Sequence, residues 1–246
     1  MRAEFEAALH PADFVASMQL EAHRQAGAGG QITPFTEKPE GIGTASWRAD
    51  RPALIVSSTS WTPDEDFSML LAAAEAYDRR CQQEADEGLG GRHPRLLVVV
   101  TGKGPMRDDF RRRMALMDLR WVAFRTPWLE GEDYPVLLGS ADLGVSLHTS
   151  SSGLDLPMKV VDMFGCGLPV CSADYACIQE LVRPGVNGLL FGTSEELTEH
   201  LMALLEGFPN SRALGELKSN LATPGRLTWE QNWEKEAMPV MCSEQD

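Results

Sequence analysis

Positive charge is scarce in this chain, cysteines are few, and long apolar runs are missing; each shortage removes a class of protein. Lys and Arg together number 22 against 36 Asp and Glu, a net charge of −14 over 246 residues. Such a field repels nucleic acid and anionic lipid on average, so no nucleic-acid partner is expected and a phosphate ligand would need local cations and amides. No stretch approaches the ~18 to 20 apolar residues of a membrane span, and the opening M-R-A-E-F-E-A-A-L-H-P has no secretory core. Neither a transmembrane segment nor export is therefore expected, and the chain alone reads as cytosolic. The five cysteines, Cys81, Cys166, Cys171, Cys177 and Cys242, are odd in number and lack a Cys-x2-Cys pair or a histidine partner. Reduced structural thiols and no metal site follow.

What is present is enough apolar material, 43% of residues, for a sizeable core. Residues 1–50, with a Gly-, Thr- and Pro-rich second half, read as a peripheral or partly disordered lead-in. From Arg51 onward short apolar runs alternate with helical patterns. P-A-L-I-V-S-S is followed by T-P-D-E, where Thr62 as N-cap, Pro63 at the first position and Glu65 closing a capping box predict a helix start. R-L-L-V-V-V-T leads through G-K-G-P into a basic helix over Met106 to Met117; a strand L-R-W-V-A-F-R and a short helix interrupted at Pro135 come next. D-L-G-V-S-L-H, then L-P-V-C-S, then L-L-F complete about six strands, and Thr193 with Glu196 caps a leucine-rich helix. Trp229 and Trp233, one turn apart, have a spacing that fits packing back on the body. The fold class is α/β, one Rossmann-like doubly wound parallel sheet covered on both faces. Ligands of such sheets bind at the C-terminal strand ends, so the loops at Ser57 to Trp61, Thr101 to Pro105, Thr126 to Asp133 and His148 to Pro157 should share one rim.

The stretch Ser146 to Ser172 organises the rest. A Ser- and Gly-rich loop, including Ser152, Gly153 and Leu154, runs into a helix begun near Pro157, with amides and a partial positive helix end suited to an anion and Lys159 adding a full charge. The simpler reading is a helix cap alone. Gly102, Lys103 and Gly104 form neither a P-loop nor a dinucleotide fingerprint, since position 107 is Arg107, yet Lys103 and Arg107 lie on the rim that would meet a diphosphate. Asp155 and Asp162 are the candidate carboxylates; their spacing does not support a glycosidase-like acid pair, and Asp162 suits a ribose diol or a surface ion pair. His148 is a weak catalytic candidate, more often a structural residue at a strand end. Trp61 and Trp128 either stack on a base or pack the loops.

From about Arg51 to the C-terminus, strings such as V-S-S-T-S-W-T-P-D-E-D-F, V-T-G-K-G-P and H-T-S-S-S-G-L-D-L-P-M-K-V-V-D-M-F-G-C resemble the chitobiosyldiphosphodolichol β-mannosyltransferases, a GT-B family. Residues 1 to 30 carry no such likeness. The resemblance implies that residues 51–246 are the C-terminal, donor-binding half of a GT-B enzyme, with C-terminal helices. It implies GDP-mannose as donor, no cofactor and no obligatory metal, and inverting transfer of mannose to dolichyl-diphosphate-linked chitobiose. The implied place is the cytosolic face of the endoplasmic reticulum membrane, with other early mannosyltransferases as partners. By the same likeness the Gly153 and Leu154 amides, Lys159 and Gly102-Lys103-Gly104 would hold the diphosphate. Asp162 would hold the ribose, and Trp128 and Leu129 would lie near the base. An absent N-terminal half would bring the membrane anchor, the acceptor site and the general base. One departure stands out: many GT-B enzymes carry two glutamates separated by seven residues here, whereas Asp155 and Asp162 are separated by six and are both a methylene shorter. A non-catalytic, truncated relative that binds nucleotide or a partner enzyme is the alternative expectation.

Overall fold

Runs such as Ala53–Ser58 and Leu96–Thr101 are apolar at nearly every position rather than at alternate ones, as a strand covered on both faces requires. The computed structural model describes residues 31–38, 43–149, 152, 154–222, 227 and 229–242. Within the expected lead-in, β1 (Gln31–Ile32), β2 (Thr36–Lys38) and β3 (Ser46–Trp47) form a small antiparallel sheet; the remainder of that expectation, residues 1–30 and 39–42, lies outside the described residues. The main sheet consists of β4 (Ala53–Ser58), β5 (Leu96–Thr101), β6 (Val122–Arg125), β7 (Leu143–Ser146), β8 (Val170–Ala173) and β9 (Gly188–Phe191). All six are parallel, in the order β6-β5-β4-β7-β8-β9. Renumbered from β4, that order is the doubly wound one of the Rossmann class.

Alternate residues of β4 supply the two cores. Ala53 and Ile55 face α1 (Phe67–Asp86), α2 (Arg107–Ala115) and the later leucine-rich helix, joining Phe67, Leu70, Tyr77, Phe110 and Met114. Leu54 and Val56 face α3 (Asp133–Ser140) and α4 (Met158–Gly165), joining Leu138, Val160, Met163 and Phe164. Trimming one such fully buried Leu to Ala costs about 2 to 5 kcal/mol, so these faces hold the strands in register. α5 (Ser194–Leu205) begins at Thr193, whose hydroxyl accepts from the Glu196 amide at 3.2 Å, as the sequence predicts. α6 (Arg212–Ala222) packs beside it.

Three local expectations change. The helix after β4 begins at Phe67 with Asp66 as its cap, accepting from Ser68 N at 3.0 Å, not at Thr62. Thr62 to Glu65 is a separate turn, and the Glu65 carboxylate is drawn inward instead of back to Thr62. Pro135 does not interrupt α3, because it lies in the first turn, where a helix has no use for its missing N–H. Trp229 and Trp233, in α7 (Trp229–Asn232) and the π-helical turn Trp233–Ala237, do not pack on the body: Trp229 is 71% exposed and the two indoles stack on each other at 5.5 Å.

Candidate functional site

β4 is followed by strands on one side of it, while β7 begins the run on the other side, so the loops leaving their C-terminal ends diverge and leave a crevice. A cavity of about 370 Å³ occupies that place. Ser58, Thr59 and Ser60 line it from β4, Thr101 and Gly102 from β5, and the segment from Trp128 to Gly131 from the β6 loop. Tyr134 of α3 and Lys159 of α4 complete it. Three of the four loops assigned to the rim from sequence thus contribute, and the fourth adds Lys159 through the helix it precedes.

The glycines of the G-K-G-P turn have a reason in packing. A Cβ on Gly102, whose φ is +143°, would lie 1.8 Å from the Thr59 carbonyl oxygen, and one on Gly104 would lie 1.7 Å from that of Ser60. Only a bare backbone lets the two loops meet this closely. Trp61 seals the contact from below: it is buried, sits 4.8 Å from the Phe67 ring, and its indole N–H donates to the Gly102 carbonyl at 3.2 Å. Of the two readings left open for Trp61, packing is the one realised.

Lys159, read as a diphosphate cation, reaches the cavity wall already ion-paired with Glu65. Glu65 is 4% exposed, and its second oxygen accepts from Ser60 N at 2.8 Å and from the Thr59 hydroxyl. Sequence reasoning assigned Glu65 to a helix cap and so passed over it; an acid in the D-E-D run that ends up buried has no linear signal. Its segment is pinned from the far side too, by the antiparallel bridge between Glu65 and His148 and by the Thr149 hydroxyl donating to Asp64 O at 2.8 Å.

On the Ser-loop side, His148 Nε2 meets Asp155 Oδ2 at 2.9 Å, Ser152 Oγ lies 3.3 Å from Asp155 Oδ1, and the Leu154 amide reaches Ser152 Oγ at 3.3 Å. This pairs His148 with a carboxylate and edges it against Tyr175, with ring centroids 6.0 Å apart. Gly153 lies outside the described residues. Asp162, on the exposed side of α4, is close enough to Tyr134 that its charge and, more strongly, burial raise the Tyr134 pKa. That phenol stays protonated near neutral pH and shares a 2.9 Å hydrogen bond with Ser58.

Across the cavity, the Lys103 ammonium sits 3.8 Å above the ring of Trp128, which is 41% exposed, and Leu129 follows it half-buried. Trp128 therefore offers a face to the cavity, unlike Trp61. Arg107 turns away from this role and donates to the Thr126 carbonyl at 2.7 Å, fixing the β6 loop to α2. The structure brings together Gly102, Trp128, Leu129 and Lys159 as cavity walls, with Lys103 resting on Trp128; Ser152, Leu154, Asp155 and His148 form a neighbouring cluster.

Two features lie elsewhere. Cys81, Glu84 and His93 bring their ligand atoms within 4.8 Å of one another, but His93 engages Glu84 through Nδ1 at 2.7 Å and the Met202 carbonyl through Nε2 at 3.1 Å. A second cavity of about 360 Å³ opens at the N-terminal ends of β4, β5 and β6, where Arg51 is held by Asp142 at 2.7 Å and Arg48 by Asp50 at 2.6 Å. Neither adjoins the switch point. Among the described residues no helix is long and apolar enough to cross a membrane.

A doubly wound sheet with its cavity at the strand-order reversal is a Rossmann-like nucleotide-binding architecture. Residues 54–207 match the family model described as glycosyl transferases group 1, and the chain belongs to that family. UDP-glycosyltransferase TURAN of Arabidopsis thaliana is 56% identical over 205 residues, covering 80% of this chain and 44% of that protein. The chitobiosyldiphosphodolichol beta-mannosyltransferases of Mus musculus and Homo sapiens are 49% and 50% identical, covering 86% and 84% of this chain and 43% and 44% of those proteins. The chain thus spans less than half the length of these relatives. Two solved structures are similar in fold. Anabaena Alr3699/HepE in complex with UDP-glucose has a TM-score of 0.53 at 20% identity, over 69% of this chain and 43% of that one. The C-terminal domain of the group 1 glycosyl transferase LpcC of Francisella tularensis has a TM-score of 0.50 at 15% identity, over 75% of this chain and 86% of that one.

Proposed function

We propose that residues 51–246 are the donor-binding half of a mannosyltransferase that takes mannose from GDP-mannose and passes it to dolichyl-diphosphate-linked chitobiose. The observation that carries this reading is the cavity at the switch point, with a lysine on one wall and an exposed tryptophan face on another. A diphosphate fits the side lined by Lys159, the Ser58 and Ser60 hydroxyls and the Tyr134 phenol. A purine fits the Trp128 face, where Lys103 must share the ring or move off it. In this reading Asp162 of α4 takes the ribose and the Leu154 amide a phosphate, by family resemblance; neither lines the cavity itself.

Transfer from an α-linked donor to a β product is an inversion, which needs in-line attack by the acceptor hydroxyl with a base beside it, and stabilisation of the departing nucleoside diphosphate. This half supplies the second need. Cations and hydroxyl donors held in place before the bond breaks stabilise the charge that develops on the leaving diphosphate, without reorganising at that moment. On this reading the base and the acceptor site come from outside the stretch that this chain shares with its relatives. In this reading the assembled enzyme works at the cytosolic face of the endoplasmic reticulum membrane beside other early mannosyltransferases.

Calorimetric titration with GDP, UDP and ADP is the direct test, and the UDP in the name of the Arabidopsis relative makes the comparison informative. GDP is expected to bind most tightly, and Lys159→Ala to weaken it more than Lys235→Ala, which alters an exposed lysine on the C-terminal segment. Binding of UDP in preference to GDP would reassign the donor, and no nucleotide binding at millimolar concentration would end the donor-site reading.

A further inference from the structure

We propose that Glu65 is a positioning residue that competes with the bound diphosphate for Lys159, loosening the nucleotide and letting it leave. The proposal rests on the nucleoside-diphosphate reading of the cavity and adds a residue which that reading does not use. Glu65 is fixed: its oxygens accept from Ser60 N, the Thr59 hydroxyl and Lys159 Nζ, and its backbone bridges to His148. A carboxylate buried with three donors has no alternative place to go. Lys159 is different, because its ammonium ends a flexible four-carbon stem in the first turn of α4 and borders the cavity. Without nucleotide, the cation is therefore satisfied and the two charges cancel. A diphosphate entering the cavity must draw Lys159 from Glu65 or share it, with a fixed negative charge remaining behind the lysine. The same charge takes Lys159 back as the diphosphate departs.

Glu65→Gln separates this role from a structural one. With its amide oxygen in the place of Oε2, the glutamine still accepts from both Ser60 N and the Thr59 hydroxyl, and its NH2 takes the place of the oxygen that held Lys159, so the loop keeps its hydrogen bonds while the charge that held the lysine disappears. Structural damage would weaken binding; removal of a competing anion strengthens it. In titrations of the whole chain, Glu65→Gln is expected to bind GDP about tenfold more tightly than wild type, the scale of one close charge pair in a partly screened site. Guanosine, which has no phosphate, should bind both proteins equally. GDP affinity that is unchanged or lower in a Glu65→Gln protein of normal melting temperature overturns the proposal, as does an equal gain for guanosine. If wild type binds no GDP, the donor-site reading fails first and the pairing is structural. A second measurement needs no variant: in wild type labelled with 13C at glutamate carboxyls, the Glu65 resonance should move on GDP addition as Lys159 leaves, and a stationary resonance alongside measured binding overturns the proposal.

Discussion

Gly102 and Thr59 touch backbone to backbone: a Cβ built on Gly102 would lie 1.8 Å from the Thr59 carbonyl oxygen. The contact joins the loop after β5 to the loop after β4 and so shapes one wall of the cavity. Because φ at Gly102 is +143°, an alanine is strained there as well as crowded. Gly102→Ala is expected to cost about 2 to 4 kcal/mol of stability and to weaken GDP binding, since the loops must separate. Urea denaturation and calorimetry on one preparation check both effects; a loss of binding without a loss of stability would assign Gly102 to the ligand rather than to loop packing.

At the opposite end of the sheet, Asp142 holds β4 and β7 together. Its carboxylate takes the Arg51 guanidinium in two bonds, 2.7 and 2.8 Å long, and the Leu54 amide at 2.9 Å. Arg51 is itself sandwiched between the Trp47 and Phe208 rings, at 4.7 and 4.6 Å, which leaves little of it in contact with water. Asp142→Ala leaves a largely shielded cation and the buried Leu54 amide without their acceptor and is expected to lower stability by about 2 to 4 kcal/mol. Arg51→Met should cost less, because it removes the cation and keeps the apolar stem between the rings. Chemical denaturation midpoints of the two variants test that order.

The parts legible in the sequence were those governed by local pattern. Continuous apolar runs gave β4, β5 and β7 their place in a two-faced parallel sheet, and the alternation with helices placed Ser58, Gly102, Trp128 and Lys159 on one rim. What was not legible depends on distant partners. Glu65 looked like a capping residue because T-P-D-E satisfies the local rule, but Lys159, 94 positions away, and the Ser60 amide outbid Thr62 for its carboxylate. Trp61 and Trp128 were equivalent on paper; the hydrophobic floor of Phe67 and Phe110 took one and left the other in solvent.

The C-terminal tryptophans make a sharper case. Their one-turn spacing matches an amphipathic helix docked on a core, yet Trp229 and Trp233 stack at an interplanar angle of 11° with Trp229 mostly in solvent. Trp229→Ala should therefore change stability by less than about 1 kcal/mol, whereas Tyr77→Ala, which empties a fully buried site, should cost about 3 to 5 kcal/mol. Comparable losses for the two would mean that the C-terminal segment packs on the domain in solution.

Alkaline pH provides a last test of the core. Cys171 is fully buried on β8 and burial pushes its pKa up from 9.0 to about 12; Cys81, on α1, is raised to about 12 mainly by the same cause. The unfolded chain releases these protons near pH 9 and the folded chain holds them, so the folded state binds more protons above that point and loses stability as pH rises. The contribution is intact below pH 9 and lost between 9 and 12, at about 1 kcal/mol per pH unit for each thiol. Urea midpoints should thus fall from pH 9 to pH 10.5, and Cys171→Ala should flatten the fall even if it lowers stability at pH 8. Iodoacetamide at pH 8 should label the exposed Cys242 well ahead of Cys171. Rapid modification of Cys171 in the folded chain would contradict its position in the core layer shared with α1 and α5, because a thiol held neutral and fully buried has neither the thiolate nor the access that alkylation requires.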